Sequence, residues 1–400
     1  MRLALDPGLK RLMLALALTC AAGWLFKAHC APGGWTGSEQ YTTGCYSDAV
    51  PFWTGRGVAA GEIPYLQARM EYPVLTGALI WVEGGLTRAL FGAGANAMHF
   101  LAIVTLFNAL LAGLVLWMMR RAGVDEQRLW GWALAPPLLF YVGHNWDLFA
   151  IAFAVAAMLW ARRREPVKAG AAAGLGMAAK LFPVLMLPLL GLGALFGNGG
   201  PWLRRIALAA AIGAAAVPAW AVVNLPVAAV AFERWSEFYR FSSERSGTAA
   251  SIWEILGNSG VWATSTPERN LYAGLLFLAG AAAIIGLGWR RHGSRSWLLF
   301  TPVLGWFLLT NKVYSPQFDL WLYPMLLMTA PRLRPLALFV AGDVAAYFAE
   351  FWWFASLDGA WPYGVTPAWI AAAAGVRAVA ILWLIADAVR LPAPEWTEKD

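Results

Sequence analysis

"EYPVLTGALIWVEGGLTRALFG", residues 71–92, decides the topology of this chain. Residues 74–91 are mostly apolar and close to the length a bilayer demands of a helix. Yet Glu83 sits at the middle, Gly84 and Gly85 follow, and Arg88 comes soon after. A charged side chain at mid-bilayer costs about 2.5–3.5 kcal/mol on insertion scales. If the stretch crosses, every later segment changes side. If it lies at the interface or re-enters, it belongs to one long loop, residues 27–97.

Composition sets the class. Of 400 residues, 60% are hydrophobic and only 13% charged, more apolar surface than a soluble domain can hide. The 24 tryptophans fit a membrane protein, because indoles favour the membrane–water interface. The net charge of +7 comes from short basic clusters between apolar runs, so it speaks for the positive-inside rule and against a nucleic-acid partner. Residues 1–26 begin with Arg2, Lys10 and Arg11 and turn apolar, but "LTCAAG" (18–23) offers no convincing cleavage site. They are read as a retained first helix that contains Cys20. Cys30 and Cys45 are placed to pair if their loop faces an oxidising compartment; two free thiols is the other reading.

Apolar runs lie at 12–26, 74–91, 98–119, 129–142, 146–160, 169–179, 181–197, 206–224, 271–289, 297–310, 318–330, 336–354 and 367–389. Between them stand "MRR" (119–121), "ARRRE" (161–165), "RR" (204–205), "WRRHGSR" (289–295) and "PRLRP" (331–335). Only if 74–91 does not cross do all these clusters share the side of the N-terminus, as the positive-inside rule asks. The expected fold is therefore an all-α polytopic membrane protein forming one domain over 1–400. It has about twelve crossings, both termini cytoplasmic, and an interfacial or re-entrant helix at 74–91 in the first outer loop. A second outer loop spans 226–270, and 391–400 is a cytoplasmic tail. The paired runs 129–160 and 169–197 turn at polar or proline-containing tips, "GHNWD" (143–147) and "KLFP" (180–183). Broken helices are tolerated only where protein or a water-filled cavity shelters their ends, so an outward-facing cavity is expected. Neither an internal repeat nor a low-complexity segment is evident.

The polar residues outside the cytoplasmic clusters concentrate on the outer side. The first loop carries Asp48, Glu62, Arg69, Glu71 and Tyr72; the tips carry His144, Asn145, Asp147 and Lys180. In the second loop Arg234, Arg240 and Arg245 alternate with Trp235, Phe238, Tyr239 and Phe241, as in an amphipathic helix lying on a membrane. A third patch holds Asn311, Lys312, Tyr314, Gln317 and Asp319. Carboxylates, cations and aromatics on one interface suit a phosphorylated lipid held by its headgroup, with an acid–base residue nearby. Plainer roles stand beside these. Asp48 is also placed to cap a helix starting near Ala49, Glu71 to pair with Arg69, and Lys180 and Lys312 to snorkel. The arginines of 226–270 equally suit contact with anionic lipid headgroups. His144 has no second ligand at metal spacing, so no metal site is expected there. "GLGALFGNGG" (191–200) lacks the strand and lysine of a nucleotide site. Arg377 lies inside the last span, and Asp343 at comparable depth is its expected buried partner.

In the order of its motifs the chain resembles the GT-C class of membrane glycosyltransferases. "CYSD" (45–48), "EYPVLTGALIW" (71–81), "HNWDLFA" (144–150), "KLFPVLMLPLL" (180–190) and "NKVYSPQFDLWLYP" (311–324) most resemble the bacterial family 87 enzymes. That family includes polyprenyl-phosphate-mannose-dependent alpha-mannosyltransferases. The resemblance implies inverting transfer of a sugar from a polyprenyl phosphate to an acceptor hydroxyl outside the cytoplasm. It also implies that the first-loop acid, here Asp48, is the general base. Lys180, Lys312 and one of Arg234, Arg240 or Arg245 would then meet the departing phosphate. The acceptor would be a glycolipid, glycan or secreted protein. The alternatives are an arabinofuranosyltransferase using polyprenyl-phospho-arabinose, a transporter or flippase of lipid-linked sugars, and a scaffold that has lost catalysis. Transporters usually show repeats and midplane coupling residues, which this chain does not. No cofactor is required by these motifs, and they leave metal dependence and oligomeric state open.

Overall fold

A computed structural model describes residues 6–197, 199–359 and 364–398. Among them the regular elements are helical, apart from one isolated bridge between Pro64 and Ala68. The chain is an all-α polytopic membrane protein. Among the described residues seven helical stretches are long and apolar enough to cross a bilayer: Pro7–Gly33, Val74–Gly94, Ala97–Arg121, Trp202–Val230, Thr266–Thr310, Arg334–Leu357 and Pro367–Arg390. Thr266–Thr310 is interrupted at Arg295, whose backbone is not helical.

Local chemistry places the helix ends. Asp6 caps Pro7–Ala28 by accepting from the Gly8 amide at 3.2 Å, and proline occupies the first turn. Asn96 caps Ala97–Arg121 by accepting from His99 N at 3.1 Å, and Arg120 and Arg121 sit in its last turn, where the helix dipole favours cations. Small residues let backbones close up. A Cβ on Gly170 or Gly174 would lie 2.8 and 2.3 Å from the carbonyl oxygens of Ile212 and Ala216. Helix Pro166–Ala179 thus packs directly on Trp202–Val230 through a G-x-x-x-G face.

The remaining apolar runs form shorter pieces: Glu126–Ala133, Pro136–Tyr141, Asp147–Arg162, Pro166–Ala179, Met186–Leu192 and Asp319–Thr329. The break at 142–146 leaves carbonyls without helical partners, and each finds one. Asn108 Nδ2 donates to Val142 O at 2.8 Å and to Asn145 O at 2.7 Å. Ser47 Oγ donates to Gly143 O at 2.6 Å, and Asp48 N donates to His144 O at 2.8 Å. Buried backbone polar groups must be paired, so this stitching lets the tip exist and clamps the first loop onto it.

The bundle has two chemically different ends. At one, Arg120 pairs with Asp6, Arg295 with Glu398 at 3.0 Å, and Arg162 donates to Trp396 O at 2.8 Å. At the other lie the loops that carry Asp48, Lys180 and Lys312. Helix Val74–Phe91 is bonded to this second end at several points. Thr76 Oγ donates to Ala179 O at 2.8 Å, Trp146 Nε1 donates to the buried Glu83 Oε2 at 2.6 Å, and Arg88 donates to Val58 O. Phe91 stacks on His99 in the first turn of the next helix at 3.9 Å. Cys30 and Cys45 form a disulfide within the first loop, and Cys20 is free and buried.

The buried arginine has a different partner from the one expected. Arg377 Nη1 donates to Asp319 Oδ2 at 2.9 Å, while Asp343 Oδ1 accepts from Tyr141 OH at 2.5 Å. Depth alone made Asp343 the candidate. The turn Pro316–Phe318 delivers Asp319 to the same level, and Tyr314 OH, 2.6 Å from Asp319 Oδ1, completes the cluster.

Candidate active site

A cavity of about 720 Å³ opens among the loops of the second end, lined by Asp48, Tyr72, His144, Lys180, Arg245, Lys312, Gln317, Trp321 and Glu350, among others. Residues from widely separated parts of the chain meet here because the two tips, the first loop and the 226–270 loop are bonded to one another.

Asp48 ends the "CYSD" turn and precedes helix Ala49–Gly55, but its carboxylate makes no capping bond; Ser47 Oγ accepts from Ala49 N instead, at 3.2 Å. The acid instead faces the cavity beside the Tyr46 hydroxyl. Burial raises its pKa to about 6, opposed by the Tyr46 hydroxyl and the Lys180 charge and reinforced by the Asp147 charge. A carboxylate poised there is half-way to the ideal general base at neutral pH.

Lys180 ends helix Pro166–Ala179 with extended backbone, and this bend turns its side chain into the cavity. Its ammonium lies 2.6 Å from Asp147 Oδ1 and 4.9, 5.4 and 5.7 Å from the Tyr72, Trp321 and Phe318 ring centroids. Trp321 Nε1 donates to Asp147 Oδ2 at 2.7 Å, so both oxygens of Asp147 are engaged. Asp147 lies beneath the cavity and holds Lys180 in place. Trp321 is itself sandwiched between Phe318 at 3.8 Å and Phe182 at 4.7 Å, an aromatic platform on the wall.

Across the second loop, helix Phe232–Glu244 ends and the chain turns extended at Arg245. Of the three candidates Arg234, Arg240 and Arg245, only Arg245 lines the cavity. Arg234 donates to Leu66 O and Arg240 to Glu233 O at 2.8 Å, both on the exposed face. Lys312 Nζ donates to Ser243 O at 2.8 Å and has no carboxylate partner among the described residues; neither has Arg245. Burial lowers the pKa of Lys312, and the nearby Arg245 and Arg269 charges lower it further. Burial likewise lowers that of Arg245, against the pull of Asp48. Two neighbouring cations that make no ion pair among the described residues can hold an anion.

The other candidates divide clearly. Glu71 lines the cavity, but its partner is Arg56, at 2.6 and 2.8 Å, and not Arg69, which pairs with Glu237. Tyr72 and Gln317 line it too. Asn145 Oδ1 accepts from Asp147 N at 3.0 Å and Tyr314 bonds to Asp319, so both support the walls from outside. Sequence reasoning passed over Tyr46, Trp321, Glu350 and Lys27. Glu350 is buried in helix Arg334–Leu357 and one of its oxygens, Oε2, has no partner among the described residues. A carboxylate inside an apolar run was the available signal. For Lys27 the signal was a lone cation at the far end of the first helix from the basic clusters.

Comparison with known proteins adds one finding. The model of glycosyltransferase family 87 matches residues 70–311, a segment that includes Glu71, Tyr72, His144, Lys180 and Arg245 and ends just short of Lys312; Asp48 lies ahead of it. No curated protein matches the chain.

Proposed function

Because the chain belongs to glycosyltransferase family 87, we propose that it moves a sugar, mannose by preference, from a polyprenyl phosphate to an acceptor hydroxyl on the extracytoplasmic side, with inversion. The observation that carries this reading is one cavity in which the Asp48 carboxylate faces unneutralised cations, Arg245 and Lys312, with Lys180 beside an aromatic platform.

The chemistry follows from these groups. The acceptor O–H bond breaks as its proton passes to Asp48, and the oxygen attacks the anomeric carbon from the side opposite the phosphate. The bond from that carbon to the phosphate oxygen breaks, and its electron pair leaves with the polyprenyl phosphate. Negative charge grows on the phosphate through the step, so Lys180, Arg245 and Lys312 stabilise the transition state more than the ground state. Phe241, Phe307 and Phe354 on the rim suit the first isoprene units of the lipid.

The sidedness has its own support. The Cys30–Cys45 disulfide suits a loop in an oxidising compartment, and basic residues gather with both termini at the opposite end of the bundle. Helix Val74–Phe91 then lies across the outer end behind Glu71 and Tyr72, which line the cavity, and this avoids setting Glu83 against lipid. The membrane lipid supplies the donor, and the acceptor is a glycolipid or glycan.

The test is sugar transfer by purified protein in lipid, offered polyprenyl-phospho-mannose or polyprenyl-phospho-arabinose with a mixed glycolipid acceptor pool. Transfer from the mannose donor, lost about 100-fold or more in Asp48→Asn, is the expected result. Transfer from arabinose alone would reassign the sugar. Undiminished transfer by the variant would move the base to Glu71 or Glu350.

A further inference from the structure

Resting on the glycosyl-transfer reading above, we propose that His144 presents a fixed Nε2–H donor to a sugar hydroxyl neighbouring the reacting one, with its tautomer set by the buried Lys27. The inference comes from counting protons around Lys27 Nζ. Four groups surround it: Tyr46 O at 2.7 Å, Tyr347 OH at 2.5 Å, Gly44 O at 3.2 Å and His144 Nδ1 at 3.3 Å. As an ammonium, the form the nearby Asp48 charge favours, Lys27 has three protons and accepts nothing. Tyr347 OH already donates to Gly44 O, which satisfies that carbonyl and leaves the phenol oxygen to accept from Lys27. The three lysine protons then go to Tyr347, Tyr46 and His144, with none to spare.

His144 Nδ1 must therefore be an acceptor, and in a neutral imidazole the proton sits on Nε2. The Tyr46 carbonyl also lies beside the ring. That carbonyl has a second lone pair, but a proton on Nδ1 would also point at the Lys27 ammonium 3.3 Å away. Among the described residues nothing in the protein bonds Nε2, and the ring lines the cavity. Packing fixes the ring plane between Tyr46 at 5.6 Å and Tyr141 at 5.9 Å. Its backbone oxygen accepts from Asp48 N, so the imidazole donor and the carboxylate base hang from one junction.

The ligand chemistry follows from the neighbours. A neutral donor beside a carboxylate suits a hydroxyl oxygen better than a phosphate, which already has Lys180, Arg245 and Lys312. His144 then reads a hydroxyl near the one Asp48 deprotonates.

Two isosteric substitutions separate this role from a purely structural one. His144→Asn keeps an acceptor near the Nδ1 position for Lys27 but has nothing at Nε2. His144→Gln keeps an amide donor near Nε2 and gives up the acceptor for Lys27. With polyprenyl-phospho-mannose and the glycolipid pool, kcat/KM of His144→Asn should fall about 10- to 100-fold, and His144→Gln should exceed it by about tenfold or more. The KM that rises, for donor or for acceptor, names the sugar that is read. The reverse order of the two variants would overturn the proposal. A second measurement needs no turnover: nitrogen-15 NMR of histidine-labelled wild type in lipid, with His144 identified by the signals missing in His144→Asn. A bare Nδ1 and protonated Nε2 at pH 7, with the preference lost in Lys27→Met, is expected; protonated Nδ1 in the wild type would overturn it. If neither donor is turned over, the function above fails while the spectrum still decides the tautomer.

Discussion

Protonation of Asp48 should switch the enzyme off just below neutral pH. Its carboxyl titrates at about 6 because burial disfavours the charged form by more than the Tyr46 hydroxyl and Lys180 restore. With a pKa there, about nine-tenths of the molecules hold an ionised base at pH 7 and about one-tenth at pH 5. The value of kcat/KM should therefore fall about tenfold between pH 7 and pH 5, on a limb of unit slope. The same shift carries a thermodynamic signature of opposite sign. A carboxyl whose folded pKa is raised from 3.8 to about 6 costs nothing below pH 3.8, where it is protonated folded or unfolded. As pH climbs through 6 the folded state comes to bear the full penalty, about 3 kcal/mol. Asp48→Asn removes that penalty along with the base. The variant should lose about 100-fold or more in transfer yet melt at a higher temperature than wild type at pH 7.5, the gap closing towards pH 4. The assays are a pH–rate profile in lipid between pH 4.5 and 8 and thermal unfolding in detergent at both pH values. A flat profile, or a variant less stable than wild type at pH 7.5, would mean that Asp48 is not a buried base titrating near 6.

Lys180→Met should lower kcat by about 100- to 1,000-fold with a smaller change in donor KM, because its charge acts on the leaving phosphate; equal changes in both would make it a binding residue only. Arg377→Met should destabilise the protein by about 3–5 kcal/mol by leaving Asp319 buried without its partner, and adding Asp319→Asn should recover most of the melting temperature. Cys45→Ser should lower the melting temperature, since the bond spans 15 residues and such a loop contributes about 3 kcal/mol through the unfolded chain. An unchanged melting temperature in Cys45→Ser would mean that the bond adds nothing. A cysteine at exposed Ala93, in a Cys20→Ser background, should react with a membrane-impermeant maleimide in intact cells; labelling only after permeabilisation would mean that helix Val74–Phe91 crosses the bilayer.

Membrane character and helical class were legible because both rest on local quantities: the length of an apolar run, the charge of a loop, a proline at a helix start. The tips "GHNWD" and "KLFP" were legible for the same reason, since polar residues at the ends of short apolar runs need shelter. Asp48, Tyr72, His144, Lys180, Arg245, Lys312 and Gln317 do line one cavity. Partner choice was not local. Glu71 has Arg69 two residues away in sequence, yet the loop path brings Arg56 to it. Arg234, Arg240 and Arg245 look alike in a list of residues, but the first two ride the outer face of a helix, and the chain turns inward only at Arg245.

From residue types and their order alone it followed that this chain lives in a bilayer and that it is helical. Desolvation of apolar runs and of charges acts residue by residue, so composition and order suffice for that. Which acid faces the cavity and which is held in an ion pair depended on contacts between distant segments. Asp147 is held by Lys180 and Trp321, and Asp319 by Arg377 and Tyr314, while Asp48 keeps its carboxylate for the cavity because Ser47 takes the cap. Hydrogen bonds reach only about 3 Å, and no spacing along the chain says which groups come that close.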